Sequence, residues 1–238
     1  MTENSLIMAA VLAWLAGLAI PAGGVLVRIT HIRRSWLRHE LIHGMTGFGG
    51  GALIAAVALV LVPEGARNMT ASGAVFWFVA GGALAMALDR WLASRQGERA
   101  QFLAMLLDFV PEAIALGASF ASGSSAGVLL ALLIALQNLP EGFNAFREME
   151  PGPSGRHTLR LFFAVSLMGP ISALAGGWLL SDMDTVLGAI MLAAGGGILY
   201  LVFEDIAPAV PLKRTWLPPL GAVLGFAVAL AGHLMLVD

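Results

Sequence analysis

Leu106–Phe120 reads LLDFVPEAIALGASF and Leu133–Phe146 reads LIALQNLPEGFNAF. Each is an apolar stretch interrupted in the same way: a polar residue, then a Glu four positions later with a Pro directly before it. Asp108 and Glu112 form the first pair, Gln137 and Glu141 the second. On an α-helix a spacing of four puts both members of a pair on one face, one turn apart.

What surrounds these stretches decides their setting. The chain has 238 residues, of which 58% are hydrophobic and 12% charged, with a mean hydropathy of +0.85. Such a composition belongs to an integral membrane protein. No cysteine is present, so disulfides and thiolate metal sites are excluded and a metal would need His, carboxylate, amide or backbone oxygen. A bilayer is crossed by roughly 20 apolar residues in a helix. Runs of about that length fall near 5–27, 41–63, 72–94, 101–121, 125–146, 160–180, 185–207 and 216–237. The expected fold is an all-α polytopic bundle of about eight transmembrane helices, a single domain over 1–238. The first run lacks a basic leader and a small-residue cleavage site and reads as a permanent helix.

Arg and Lys fall in alternate connections, with Arg67 the exception on the opposite side. Short cytoplasmic loops carry such an excess, which places both termini outside the cytoplasm. Trp36, Trp91 and Trp216 fit a cytoplasmic aromatic belt, Trp77 and Trp178 an outer one, and Trp14 reads as a packing residue.

Counting from the cytoplasmic ends at 1.5 Å per residue brings Glu141, Asp108, Asn138, Gln137 and Glu112 within ~9 Å of depth, so the polar faces of the fourth and fifth helices can meet. Three acids near the bilayer centre would cost roughly 8–10 kcal/mol if uncompensated. Neither helix interior holds Lys or Arg. The counter-charge is then a set of protons or a bound cation, and an oxygen-lined cavity suits a metal. Pro111 and Pro140 add to the supply of oxygen by freeing the carbonyls of Leu107 and Leu136.

QNLPEGF resembles the fifth-helix signature of the ZIP (Zrt/Irt-like protein) family of divalent metal transporters, and DFVPEA resembles its fourth-helix counterpart. Eight helices and outer termini extend the resemblance over essentially the whole chain. It implies a central metal site of Asp108, Glu112, Gln137, Asn138 and Glu141, transport toward the cytoplasm by alternating access, an inverted repeat and a homodimer. The sequence departs from the family pattern where Asp108 and Gln137 stand for the usual His, Phe109 for Asn, and Gly169 for a sixth-helix Glu. Phe203 precedes Glu204 where the family often has His-Glu. An oxygen-only site weakens the preference for Zn²⁺ and widens the range to Mn²⁺ and Fe²⁺, with Cd²⁺ as a further probe. The expected location is a bacterial inner (plasma) membrane.

Arg38–Gly44, RHELIHG, contains His39-Glu40-x-x-His43, the spacing of a zinc peptidase. One alternative is therefore an intramembrane metalloprotease; another is a metal sensor that does not transport. Within the transporter reading, His39, His43, Glu204 and Asp205 gather at the cytoplasmic mouth as an exit site. Asp89 reads as an ion-pair partner of Arg90, and His233 as a hydrogen-bonded packing residue. The chain carries no glycine-rich phosphate loop and no basic-aromatic array, so neither nucleotide nor nucleic acid is an expected partner.

Overall fold

Helices make up every regular element of the computed structural model, which describes residues 3–29, 35–93, 100–121, 126–149, 155–180, 183–210 and 216–237. In a hydrocarbon medium each backbone N–H and C=O must be satisfied within its own segment, and the helix does this locally. Among the described residues seven helices are long and apolar enough to cross a membrane. The protein is a helical, polytopic membrane protein.

The first rod is α1 (Glu3–Ile29). The second joins α2 (Ser35–Ala56), a π-helical turn at Val57–Leu61 and α3 (Val62–Ala66). The third is α4 (Ala71–Ala93), the fourth α5 (Ala100–Ala121) and the fifth α6 (Ala126–Met149). A break at Leu167 divides the sixth into α7 (Arg156–Ser166) and α8 (Met168–Leu179). The seventh joins α9 (Asp184–Leu201), a second π-turn at Val202–Ile206 and α10 (Ala207–Ala209), and the eighth is α11 (Leu217–Val237). In α5 the described apolar stretch is the shorter Phe109–Ala121.

Proline accounts for the π-turns. Pro63 and Pro208 have no N–H, and their rings crowd the carbonyl four residues back, which is Leu59 or Glu204 and lies inside the widened turn. The Val62 N–H reaches back to the Val57 carbonyl and the Ala207 N–H to that of Val202, five residues each. Pro111 and Pro140, by contrast, sit within uninterrupted α-helix.

The rods pair through small residues. The second packs on the eighth, the third on the seventh, the first on the fifth and the fourth on the sixth. Close approach demands glycine: a Cβ at Gly51 would stand 1.9 Å from the Ala222 carbonyl oxygen, and one at Gly142 would stand 2.2 Å from that of Ile20. Exchanging rod one with six, two with seven, three with eight and four with five carries each pairing onto another.

Side chains facing away from these seams are apolar and exposed, among them Trp77, Trp91, Trp178 and Trp216. Trp14 joins them at 38% exposure and is no core residue. Trp36 lies outside the described side chains.

Candidate metal centre

The fourth and fifth rods lie side by side, and their polar faces meet at Glu112 and Gln137, where the Gln137 Nε2 donates to the Glu112 Oε2. Glu112, Gln137 and Asn138 are all completely buried. One position further round the helix, Asn138 turns toward α1, and its Nδ2 donates to the Ala16 carbonyl at 3.1 Å. The nitrogens of both amides are thereby engaged by acceptors. Their carbonyl oxygens, Oε1 of Gln137 and Oδ1 of Asn138, are buried without a hydrogen-bond partner.

A buried acceptor left unmade costs about 1–3 kcal/mol, so two on adjacent residues of one helix require an explanation. Water or a hydroxyl would satisfy them by donating; so would a cation, which also answers the carboxylate beside them. The donor set is all oxygen. Among the described residues no three His, Asp or Glu side chains gather into a metal-holding group. The oxygens that the described residues bring together here are those of one carboxylate and two amides. The side chain of Asp108 lies outside the described residues.

Glu141 follows Gln137 by one turn, ~6 Å along α6, and lines a cavity of about 290 Å³. His43, Thr46, Asn144 and Asp205 share that cavity, walled by apolar groups such as Leu53, Met105 and Ile198. It faces the end of the bundle that carries Arg28, Arg90, Arg147, Arg156 and Arg160. In the other direction from Glu112 and Gln137 the same two helices present Leu116, Leu130, Leu133 and Ile134, all fully buried. The cavity thus ends at Glu141, one turn from the fully buried centre, whose other side is closed by apolar packing.

The departures from the family pattern have a packing counterpart. Phe109 is buried, and its ring lies between Gly17 on α1 and Gly169 on α8; a Cβ at either glycine would come within 2.9 Å of its Cζ. An aromatic ring against two glycines thus fills the space at positions 109 and 169.

Of the four residues read as an exit site, the three whose side chains are described do not stay together. Asp205 and His43 line the cavity, whereas Glu204 is exposed on another face with Tyr200 and Phe203. Adjacent residues diverge because each step rotates the side chain about the helix axis, and the π-turn alters the register on which the sequence count relied. The side chain of His39 lies outside the described residues. Glu40 is partly buried but is not among the residues that line the cavity.

Two smaller expectations change. Asp89 accepts from the Tyr200 hydroxyl at 3.0 Å, a tie between the third and seventh rods, where the sequence reading paired it with Arg90. His233 is partly buried, yet its Nδ1 has no hydrogen-bond partner. Thr46 and Asn144 were not singled out from the sequence. Their signal was available: Thr46 follows His43 by three residues and Asn144 follows Glu141 by three, the spacing of a shared face.

No protein-family model matches the chain, and no curated protein matches it.

Proposed function

We propose that this protein is a divalent-metal transporter resembling the ZIP family, with eight spans and both termini outside, which carries metal toward the cytoplasm. The observation that carries this reading is the buried, oxygen-only centre of Glu112, Gln137 and Asn138, with two unmatched amide oxygens one turn above a cavity open at the basic end. Glu141 stands where that cavity meets the centre, and the resemblance adds Asp108. Amide and carboxylate oxygens weaken the preference for Zn²⁺ that imidazole confers and open the range to Mn²⁺, Fe²⁺ and other divalent ions, Zn²⁺ and Cd²⁺ among them. Displacement of protons from the carboxylates makes flux rise with pH.

The packing of Phe109 supports a reading of one metal per centre. Its ring is packed against Gly17 and Gly169, leaving no oxygen donor at the two positions where the family pattern supplies a second set. Alternating access then consists of opening the seal at Leu116, Leu130, Leu133 and Ile134 while the cavity at the basic end closes, by movement of one helix group against the other.

Uptake of Mn²⁺, Fe²⁺, Zn²⁺ and Cd²⁺ into proteoliposomes tests the reading, with wild type compared against Glu112→Ala/Glu141→Ala. The expected result is saturable uptake by wild type and none by the double variant. Uptake that survives in the double variant, or wild type inert toward all four ions, would sink the proposal. In the second case a peptidase assay of wild type against Glu40→Gln becomes the next measurement.

A further inference from the structure

Between the buried centre and the mouth of the cavity one side chain is held in a defined orientation. Thr46 on α2 is part-buried, and its hydroxyl donates to the Ile42 carbonyl one turn back, at 3.0 Å. A hydroxyl has one proton. With that proton directed to Ile42, Thr46 Oγ1 has only acceptor capacity left, and the Asn144 Nδ2 on α6 donates to it at 3.0 Å. The direction of the Asn144 amide is therefore set by chemistry: nitrogen toward Thr46, carbonyl oxygen away from it. Asn144 lines the cavity, and with its nitrogen tied to Thr46 its carbonyl oxygen is the acceptor it can offer there.

Gln137, Glu141 and Asn144 follow one another at spacings of four and three, which stacks them on one face of α6. Asp205 and His43 face the same cavity from the seventh and second rods. These groups do not form one compact cluster. Glu141, Asn144, Asp205 and His43 line the cavity while Gln137 lies buried beyond it, and Asn144 follows Glu141 on the side leading away from the buried centre. Among the described lining residues Arg147 is the basic side chain, and it is exposed at the rim.

We propose that Asn144 Oδ1 is a transit ligand for the divalent cation, taking it from Glu141 and passing it toward Asp205 and His43, and that Thr46 is the positioning residue that keeps this oxygen turned into the cavity. The inference rests on the transporter reading and adds a donor outside the Asp/Glu set. A neutral carbonyl oxygen suits this step: it can replace one water of a metal's shell without holding the ion as tightly as a second carboxylate.

The test uses the full chain with Mn²⁺ as probe, following binding to the purified protein by electron paramagnetic resonance and uptake into proteoliposomes. Asn144→Leu removes the oxygen at nearly constant volume and is expected to weaken Mn²⁺ binding and raise KM by about tenfold or more, while Asn144→Asp restores binding and shifts preference further toward Mn²⁺ over Zn²⁺. Thr46→Val removes the acceptor and is expected to raise KM with kcat little changed, and Thr46→Ser to recover wild-type values. If Asn144→Asp were as impaired as Asn144→Leu, the pair would be only a tether between α2 and α6, and the inference would fall. Wild-type affinity and metal order in Asn144→Leu would also overturn it. Failure of the transporter reading looks different: wild type binds Mn²⁺ without moving it, or binds none, whereas failure of this inference leaves wild-type flux intact.

Discussion

Glu112 and Asp205 are both carboxylates within apolar helices, and they live under opposite conditions. Glu112 is completely enclosed and takes its hydrogen bond from Gln137 in surroundings that hold two further unmatched oxygens. Asp205 is exposed to an open cavity, on a turn that proline has widened. The difference teaches where selection resides. In a dehydrated pocket each oxygen must be satisfied by what enters, so the geometry and charge of the entrant are tested. In a wet cavity water answers the same need, and the carboxylate contributes attraction without discrimination.

Three substitutions press on that contrast. The largest effect belongs to Glu112→Gln, which keeps volume and removes charge at a completely buried position; Mn²⁺ uptake is expected to fall by at least about a hundredfold, the scale at which loss of a buried charge partner is felt. Uptake within tenfold of wild type would mean the enclosed centre is not where the ion is tested. Gly142→Val comes next, since even a Cβ there would stand 2.2 Å from the Ile20 carbonyl oxygen. Forcing α1 from α6 beside the Asn138–Ala16 bond is expected to cost about 1–3 kcal/mol, read as a lower thermal midpoint in detergent, and to lower flux with it. An unchanged midpoint would show that the first and fifth rods separate freely. The smallest effect is Asp205→Asn, expected to slow uptake by about two- to threefold at low ionic strength and to have no effect at high salt. A loss comparable to that of Glu112→Gln would erase the distinction between the two regions.

Much of the site was legible because it was written in types of residue that hydrocarbon does not tolerate. Acids and amides at spacings of four, each Glu after Pro, stood out against apolar helices, and depth counting brought the fourth and fifth helices together. Glu204 and Asp205 show the limit. Side by side in sequence and at one depth, they read as a pair, but a count at 3.6 residues per turn does not foresee a π-turn, and the two carboxylates face different spaces. Thr46 and Asn144 escaped notice for another reason. Singly, a hydroxyl and an amide on an apolar helix are ordinary, and only their meeting across 98 positions gives them a joint orientation.

Composition and hydrophobic run length by themselves determined that this is a helical membrane protein, because burying a backbone in lipid leaves a chain with few choices. Residue type and spacing alone determined which side chains would be costly there. Tertiary structure decided which glycine meets which carbonyl, that the Phe109 ring lies between Gly17 and Gly169, and that Asp205 faces the cavity with His43 while Glu204 does not. Those outcomes depend on rotation and register between helices distant in sequence. Local periodicity fixes the faces of one helix, but the partner that each face meets is set only when all the helices pack together.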